Sequence, residues 1–431
     1  MKYTQSVSAA FPRPCPTRLL LLSPAQAVGG AESYMTALAA HLREQGHEVH
    51  AGIDESSCLD AFAEGLVAAG AHLHRDRLRW RWDDSPVMAR LKIQFEAAWR
   101  LFEQARPEAV FLNMNWLDAG SALGAATAAA GLATVSLFHL CPHVILLKPE
   151  ERRLLRWSQD VRQQWFCVSE DNRLFLARSV GLKASRVGVI YNGPLLNAAQ
   201  ELNAPARLAE ARADLRRELG LDPDALVMTT VGRHDVQKGL VDILPMLPGL
   251  LAEHPRLHYL WIGDGPLRER MQRLTSVFDP AGRRVTFWPH RADVPRCLGG
   301  SDLFLFPTRF EGFSLALLEA MHMGCCPVTT DVSSVREIVE DGVSGLVVRQ
   351  GDARGLHQAI ARLLGDPSLR RRLSAAAMAT ARRFSPEAMF QGCSQALAAA
   401  AASGHGELPS QDQAWERIRA VAQEATVETF K

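Results

Sequence analysis

The chain has 431 residues, with 48 Lys and Arg against 47 Asp and Glu, a formal net charge of +1, and 47% hydrophobic residues; this length predicts two sizeable domains, and the composition is globular, not disordered. Near-neutral charge excludes an overall field that would pull the protein onto nucleic acid or an anionic membrane, so no nucleic-acid partner is expected. The eight cysteines are scattered without a C-x-x-C pair, which excludes a zinc module and fits a reduced, cytoplasmic protein.

In chain order, "MKYTQSVSAAFPRPCPTRLLLLSPA" carries an apolar run at Leu19–Leu22 that is too short for a signal-peptide core and reads as a first strand after a loose leader. No later stretch approaches the roughly 18 to 20 apolar residues needed to span a bilayer. "SPAQAVGGAESYM" then reads as a strand end, a glycine turn and a helix start. Gly29 and Gly30 there either serve turn geometry alone or let backbone approach a ligand closely. The helix "AESYMTALAAHLREQG" closes at Gly46, and "HEVHAGI", "EAVFLNM", "ATVSLFHL" and "QWFCVSE" continue as strands. Short apolar runs alternating with amphipathic stretches predict an α/β fold with a parallel, doubly wound sheet. Between them, "HRDRLRWRWDD" is basic and aromatic. It reads either as a patch for a membrane surface or an acceptor, or, the preferred reading, as a solvated loop whose tryptophans pack on the domain.

A boundary falls near Asn192 to Asn203, and a polar helical stretch leads to a second alternating series, "ALVMTTVG", "LHYLWIGDG", "RVTFWP", "DLFLFP", "CCPVTTD" and "SGLVVR". Two such sheets in tandem predict two Rossmann-like domains with a ligand cleft outside the carboxyl ends of their strands. A helix in "SPEAMFQGCSQALAAAAAS", a linker "GHGELPS" and a last amphipathic helix in "QDQAWERIRAVAQEA" complete the chain.

The strongest local signal is "PTRFEGFSLALLEAMHMG", Pro307 to Gly324. A strand ends, a loop carries Glu311 and Gly312, and a helix begins at Ser314, a fitting N-cap. The amides of Phe313, Ser314 and Leu315 then sit at a helix N-terminus that favours anionic or hydroxyl-rich ligands. Glu311 in the loop and Glu319 within the apolar "ALLEAM" are acceptor-only carboxylates suited to sugar hydroxyls, and an unpartnered carboxylate at Glu319 is costly to bury. Arg233 and Lys238 in "VGRHDVQKG" place two cations after a strand, where they can hold a diphosphate and offset charge on a leaving group. His139 ends the strand "ATVSLFHL", a place where a lone histidine is more often a satisfied core residue. The only D-x-D, Asp222-Pro223-Asp224, sits in a proline turn at the amino end of a strand, the wrong side for a ligand, so no metal site is expected.

Glutamate, seven residues and glutamate, in the form "EGFSLALLEAM" before Gly324, resembles the donor-binding signature of the retaining GT-B glycosyltransferases of family four, the glycosyl transferases group 1. The resemblance extends to "VGRHDVQKG", "WIGDGP", "DVSSVREIVEDGVSGLVV" and "VGGAE", over most of residues 18–400. It implies a GT-B architecture, with residues 1–195 as an acceptor-side domain, 196–385 as a nucleotide-sugar domain and 386–431 as C-terminal helices and tail. It further implies a retaining, metal-independent transfer of a sugar from a nucleotide diphosphate sugar, a co-substrate and not a cofactor, to an acceptor hydroxyl on a sugar, lipid-linked or protein-linked partner. On the resemblance, Arg233 and Lys238 grip the diphosphate beside the helix amides, Glu311 takes sugar hydroxyls, Glu319 the ribose, and His139 a hydroxyl of the transferred sugar, with His143 as the competing choice. Gly29 and Gly30 face phosphate and acceptor. The chain departs from the pattern at Pro194, at Pro289, and at Ser333 and Ser334, where a glycine pair is common. The rival readings are a nucleotide-sugar epimerase or sugar phosphorylase on the same architecture, and a non-catalytic partner subunit. A role in glycan, glycolipid or glycoconjugate biosynthesis, in the cytoplasm or peripherally at the cytoplasmic membrane face, is the corresponding expectation.

Overall fold

The computed structural model describes residues 17–80, 83, 85–141, 147–195, 205–402 and 407–424. The leader, His143, Trp82 and most of the expected boundary segment lie outside these residues.

Thirteen strands among the described residues form two parallel sheets. The first holds β1 (Arg18–Leu22), β2 (Glu48–Asp54), β3 (His72–Asp76), β4 (Ala109–Met114), β5 (Thr134–Phe138), β6 (Gln163–Cys167) and β7 (Val187–Val189), in the order β3-β2-β1-β4-β5-β6-β7. The second holds β8 (Leu226–Val231), β9 (Leu257–Ile262), β10 (Val285–Trp288), β11 (Leu303–Phe306), β12 (Cys326–Asp331) and β13 (Leu346–Arg349), in the order β10-β9-β8-β11-β12-β13. Both are the expected Rossmann-like arrangement, and in each the strand order reverses once, between β1 and β4 and between β8 and β11. Ligands in such sheets bind outside the carboxyl ends of the strands at that reversal.

The central strands are apolar throughout because helices cover both faces of each sheet; β4 and β9 are buried at every position. β3 was not anticipated. Its sequence, HLHRD, is short and polar because it lies at the edge of the sheet, pairing with β2 alone. Part of the basic-aromatic stretch is therefore strand, and Trp80 just beyond it is buried with the Arg90 guanidinium 4.8 Å over its ring. Arg75 pairs with Asp60 and Arg100 with Asp76, so much of the charge there is met locally.

After the second sheet the chain returns to the first. The helix Pro386–Ala402 places Met389, Cys393 and Leu397 in one apolar cluster with Leu19, Tyr34 and Leu38. The helix Gln411–Gln423, opened by a Ser410–Gln413 capping box, seats Ala414, Ile418 and Ala422 in the apolar cluster that also holds Trp99, Leu123 and Leu154 of the first domain. Trp415 meets Phe95 with ring centroids 5.2 Å apart.

Candidate active site

In the second domain, β8 and β11 end side by side and aim two loops at the same place. Lys238 Nζ lies 2.6 Å from Glu311 Oε1, and the Thr308 hydroxyl donates to the same oxygen at 2.8 Å. Both members of the ion pair are largely shielded, with side-chain exposures of 16% and 8%. Arg233 is more open and pairs with Asp235 at 2.7 Å, while Asp235 also accepts from the Lys238 amide at 3.3 Å. Asp235 is thus the hub of the basic loop, a role its position between two cations could have suggested. Ser314 caps the helix Leu315–His322 as expected, its hydroxyl accepting from Leu317 N at 3.2 Å.

In the first domain the glycine turn between β1 and the helix Gly30–Glu44 is bracketed by two asparagines at the end of β4. Asn113 donates to the Ala31 carbonyl at 3.0 Å and faces His139 Nε2 with its Oδ1 at 2.8 Å. Asn115 donates to Glu32 and receives the Ser23 hydroxyl at 3.3 Å. Glu32 is only 2% exposed. Its burial pushes the carboxyl up to about 7, against the pull of its own and the Gly29 backbone amides, Asn115 and the charge of Arg233 from the opposite domain. Burial also drives the His139 imidazole down to about 3, so it is neutral at any ordinary pH. Glu32, Asn113 and Asn115 were not anticipated, and the signal available was two amides in an otherwise apolar strand next to a glycine turn.

The two domains meet through these pieces. A methyl group on Gly312 would sit 1.6 Å from the His139 carbonyl oxygen, so only glycine fits where the Glu311 loop crosses the end of β5. A methyl on Gly30 would lie 3.4 Å from Leu315 Cδ1, which places the glycine turn against the helix N-terminus. Trp116 and Phe310 meet across the same seam with centroids 6.1 Å apart. Asn192 Nδ2 donates to the Phe313 carbonyl at 2.8 Å. Gly29, Gly30, His139, Arg233, Lys238, Glu311, Gly312, Phe313, Ser314 and Leu315 are thus brought together along the seam between the domains. Glu319 lies further along the same helix, beyond its first turn, partly buried, where it accepts from the Leu195 amide and burial raises its carboxyl to about 7.

Among the described residues no group of three or more His, Cys, Asp or Glu is placed to hold a metal ion. Asp224 pairs with Arg256 on the far side of β8, and Asp264 pairs with Arg268 while accepting from His290 N at 2.9 Å. No helix among these residues is long and apolar enough to cross a membrane.

Residues 28–194 match the family described as glycosyltransferase family 4, and residues 225–366 the family described as glycosyl transferases group 1. The alpha-D-kanosaminyltransferase of Streptomyces kanamyceticus is 31% identical over 164 residues, 38% of this chain and 42% of that protein. A glycogen synthase of Thermus thermophilus is 34% identical over 170 residues, 39% of this chain and 38% of that protein. The matched stretches thus span about two fifths of these relatives. The crystal structure of Anabaena Alr3699/HepE in complex with UDP superposes with a TM-score of 0.70 at 21% identity, over 89% of this chain and 100% of that one. The shared fold is the GT-B architecture of two Rossmann-like domains facing a cleft.

Proposed function

We propose, for a chain that belongs to the group 1 glycosyltransferases of the family-four type, that it moves a sugar from a nucleoside diphosphate to an acceptor hydroxyl with retention of anomeric configuration. The observation that carries this reading is the meeting of Arg233, the Lys238–Glu311 pair and the Leu315 helix end at the carboxyl ends of β8 and β11. Cations and helix amides aimed at one point suit a leaving diphosphate, whose developing charge they can neutralise without a metal. A diphosphate arriving at Lys238 would offer it a second anion, and Glu311 could then turn its oxygens to the sugar hydroxyls. Glu319 would take the ribose, and Gly29 and Gly30 would admit the phosphates and acceptor close to backbone. His139 would receive a hydroxyl of the transferred sugar, and a phosphate oxygen of the leaving group would accept the acceptor proton on the same face. On this reading residues 1–195 form the acceptor side, 196–385 the donor side and 386–431 a tail that straps onto the first domain.

Thermal shift against a panel of nucleoside diphosphate sugars tests the reading, because a ligand that binds the native state raises its melting temperature by mass action. UDP is the first to try, being the nucleotide in the HepE structure. Stabilisation by a nucleotide sugar, followed by transfer to a hydroxyl acceptor in excess EDTA, is expected. Sugar inversion without an acceptor, or turnover that requires inorganic phosphate, would replace the proposal with an epimerase or a phosphorylase.

A further inference from the structure

Asn113 uses both ends of its amide. Its Nδ2 faces the Ala31 carbonyl at 3.0 Å, and a carbonyl only accepts, so that end is fixed as the donor. The Oδ1 is therefore the atom 2.8 Å from His139 Nε2, and an acceptor there requires the proton to be on Nε2. The lone pair of the neutral ring is left on Nδ1. The rest of the residue is equally constrained: His139 N donates to the Met114 carbonyl at 2.9 Å, and Asn172 donates to the His139 carbonyl at 3.2 Å. The Tyr34 ring stands edge-on to the imidazole at 4.9 Å and 72°, with its hydroxyl 2.9 Å from Cys393 Sγ on the returning C-terminal helix. Burial raises both Tyr34 and, behind it, Cys393, so neither brings a charge to the ring, and Glu311, on the loop that crosses the His139 backbone at Gly312, is paired with Lys238.

We propose that Asn113 is a positioning residue that holds His139 as its Nε2–H tautomer and so makes the imidazole Nδ1 an obligate acceptor for a hydroxyl of the transferred sugar. The inference rests on the reading of His139 as a sugar contact and specifies its chemistry. A sugar must bring an O–H to Nδ1, so a donor with hydrogen or fluorine in place of that hydroxyl is a poor substrate. His139 neither gives nor takes a proton during transfer, and the activity profile carries no limb from its titration.

The tautomer is read directly from nitrogen-15 spectra of the histidine-labelled full chain, with the His139 signals identified by their loss in His139→Asn. A protonated Nε2 and bare Nδ1 between pH 6 and 8 are expected, and the opposite tautomer or an imidazolium would overturn the proposal. Asn113→Asp puts a carboxylate opposite Nε2, favours imidazolium and turns Nδ1 into a donor. It should lower kcat about tenfold, leave the donor KM within about twofold, and introduce a pH limb along which activity recovers as the ring loses its extra proton. A normal kcat with a flat profile in this variant would overturn the lock, and should the variant fail to fold, the wild-type spectrum decides alone. His139→Ala separates the two layers. Normal transfer by that variant removes the sugar contact, and with it the proposal, whatever the tautomer. A crippled His139→Ala beside a normal Asn113→Asp removes the lock and leaves the sugar-contact reading intact.

Discussion

The two walls of the cleft are built on opposite principles. The second domain offers full charges in pairs, the largely shielded Lys238 with Glu311 and the more open Arg233 with Asp235. The first domain offers neutral amides, an imidazole and a carboxyl whose protonated form burial favours, each fixed by hydrogen bonds inside the sheet. An ion pair can trade one partner for an incoming anion and stay compensated, whereas a buried hydrogen-bond network is held in one arrangement. On the proposed reading, the second domain grips and releases an anion, with Glu311 also taking sugar hydroxyls, and the first domain supplies fixed orientation.

The largest expected effect breaks the charged wall. Lys238→Ala should lower kcat/KM by about 100-fold or more, the scale on which removal of a transition-state electrostatic partner acts. It should also destabilise the fold, because Glu311 is left shielded and short of its cation. Adding Glu311→Gln should return stability without returning transfer. If the double variant regains activity, Lys238 serves the fold and not the leaving group, and the comparison fails on its charged side.

The next largest effect tests the neutral wall through its buried carboxyl. Glu32 has a folded-state value of about 7 against an ordinary 4.5. Between those values the folded protein keeps a proton that the unfolded chain has released, so Glu32's contribution to stability falls as pH rises through that window and levels off above it. Glu32→Gln removes that contribution, worth about 3 kcal/mol at pH 8. His139, His234 and His258 are depressed by burial and act at lower pH in the other sense, so the informative quantity is the wild-type minus variant difference in denaturant stability from pH 5 to 8. A flat difference would show that Glu32 is not a carboxyl whose protonated form burial favours.

This asymmetry also explains what could be read from sequence. Charged motifs announce themselves, because "VGRHDVQKG" and the paired glutamates stand out against loops and an apolar helix. Most of the strands were legible for a similar reason, since buried parallel strands are continuous apolar runs. The neutral wall was not legible. Asn113 and Asn115 lie in "FLNMNW", which reads only as strand, and their meaning depends on β1 and β4 being neighbours at the reversal of strand order. Edge strand β3 escaped because polarity is what protects an edge.

A smaller effect concerns the seam that brings the walls together. Glu337 of the second domain accepts from the Glu170 and Asp171 amides at 2.9 and 3.0 Å and from the Tyr191 hydroxyl at 3.0 Å, capping a first-domain helix. Glu337→Ala should cost about 1 to 2 kcal/mol of stability and raise KM for both substrates while sparing the chemistry once they are bound. Small-angle scattering should show a more open molecule. An unchanged scattering profile with unchanged KM values would mean that the walls are held together elsewhere.

The smallest effect sits at a departure from the family pattern. Ser333 follows β12 with φ of 38°, in the left-handed region that costs a residue with a Cβ about 1 to 2 kcal/mol. The family pattern that the sequence resembles commonly has glycine here, and glycine adopts a positive φ without that cost. Ser333→Gly relieves the strain but gives the unfolded chain more freedom, a loss of about 0.4 to 1 kcal/mol, so the net gain should be under about 1 kcal/mol. Thermal unfolding should shift upward slightly. What sharpens the comparison is activity: Ser334 beside it is fully buried and its hydroxyl lacks a hydrogen-bond partner among the described residues, so the pair adds a neutral polar element to the second domain. If Ser333 matters only as strained backbone, Ser333→Gly gains stability and leaves donor selectivity untouched. If instead selectivity among donor sugars changes with no gain in stability, the Ser333–Ser334 turn joins Glu311 in orienting the sugar, and the division of labour between the walls is incomplete.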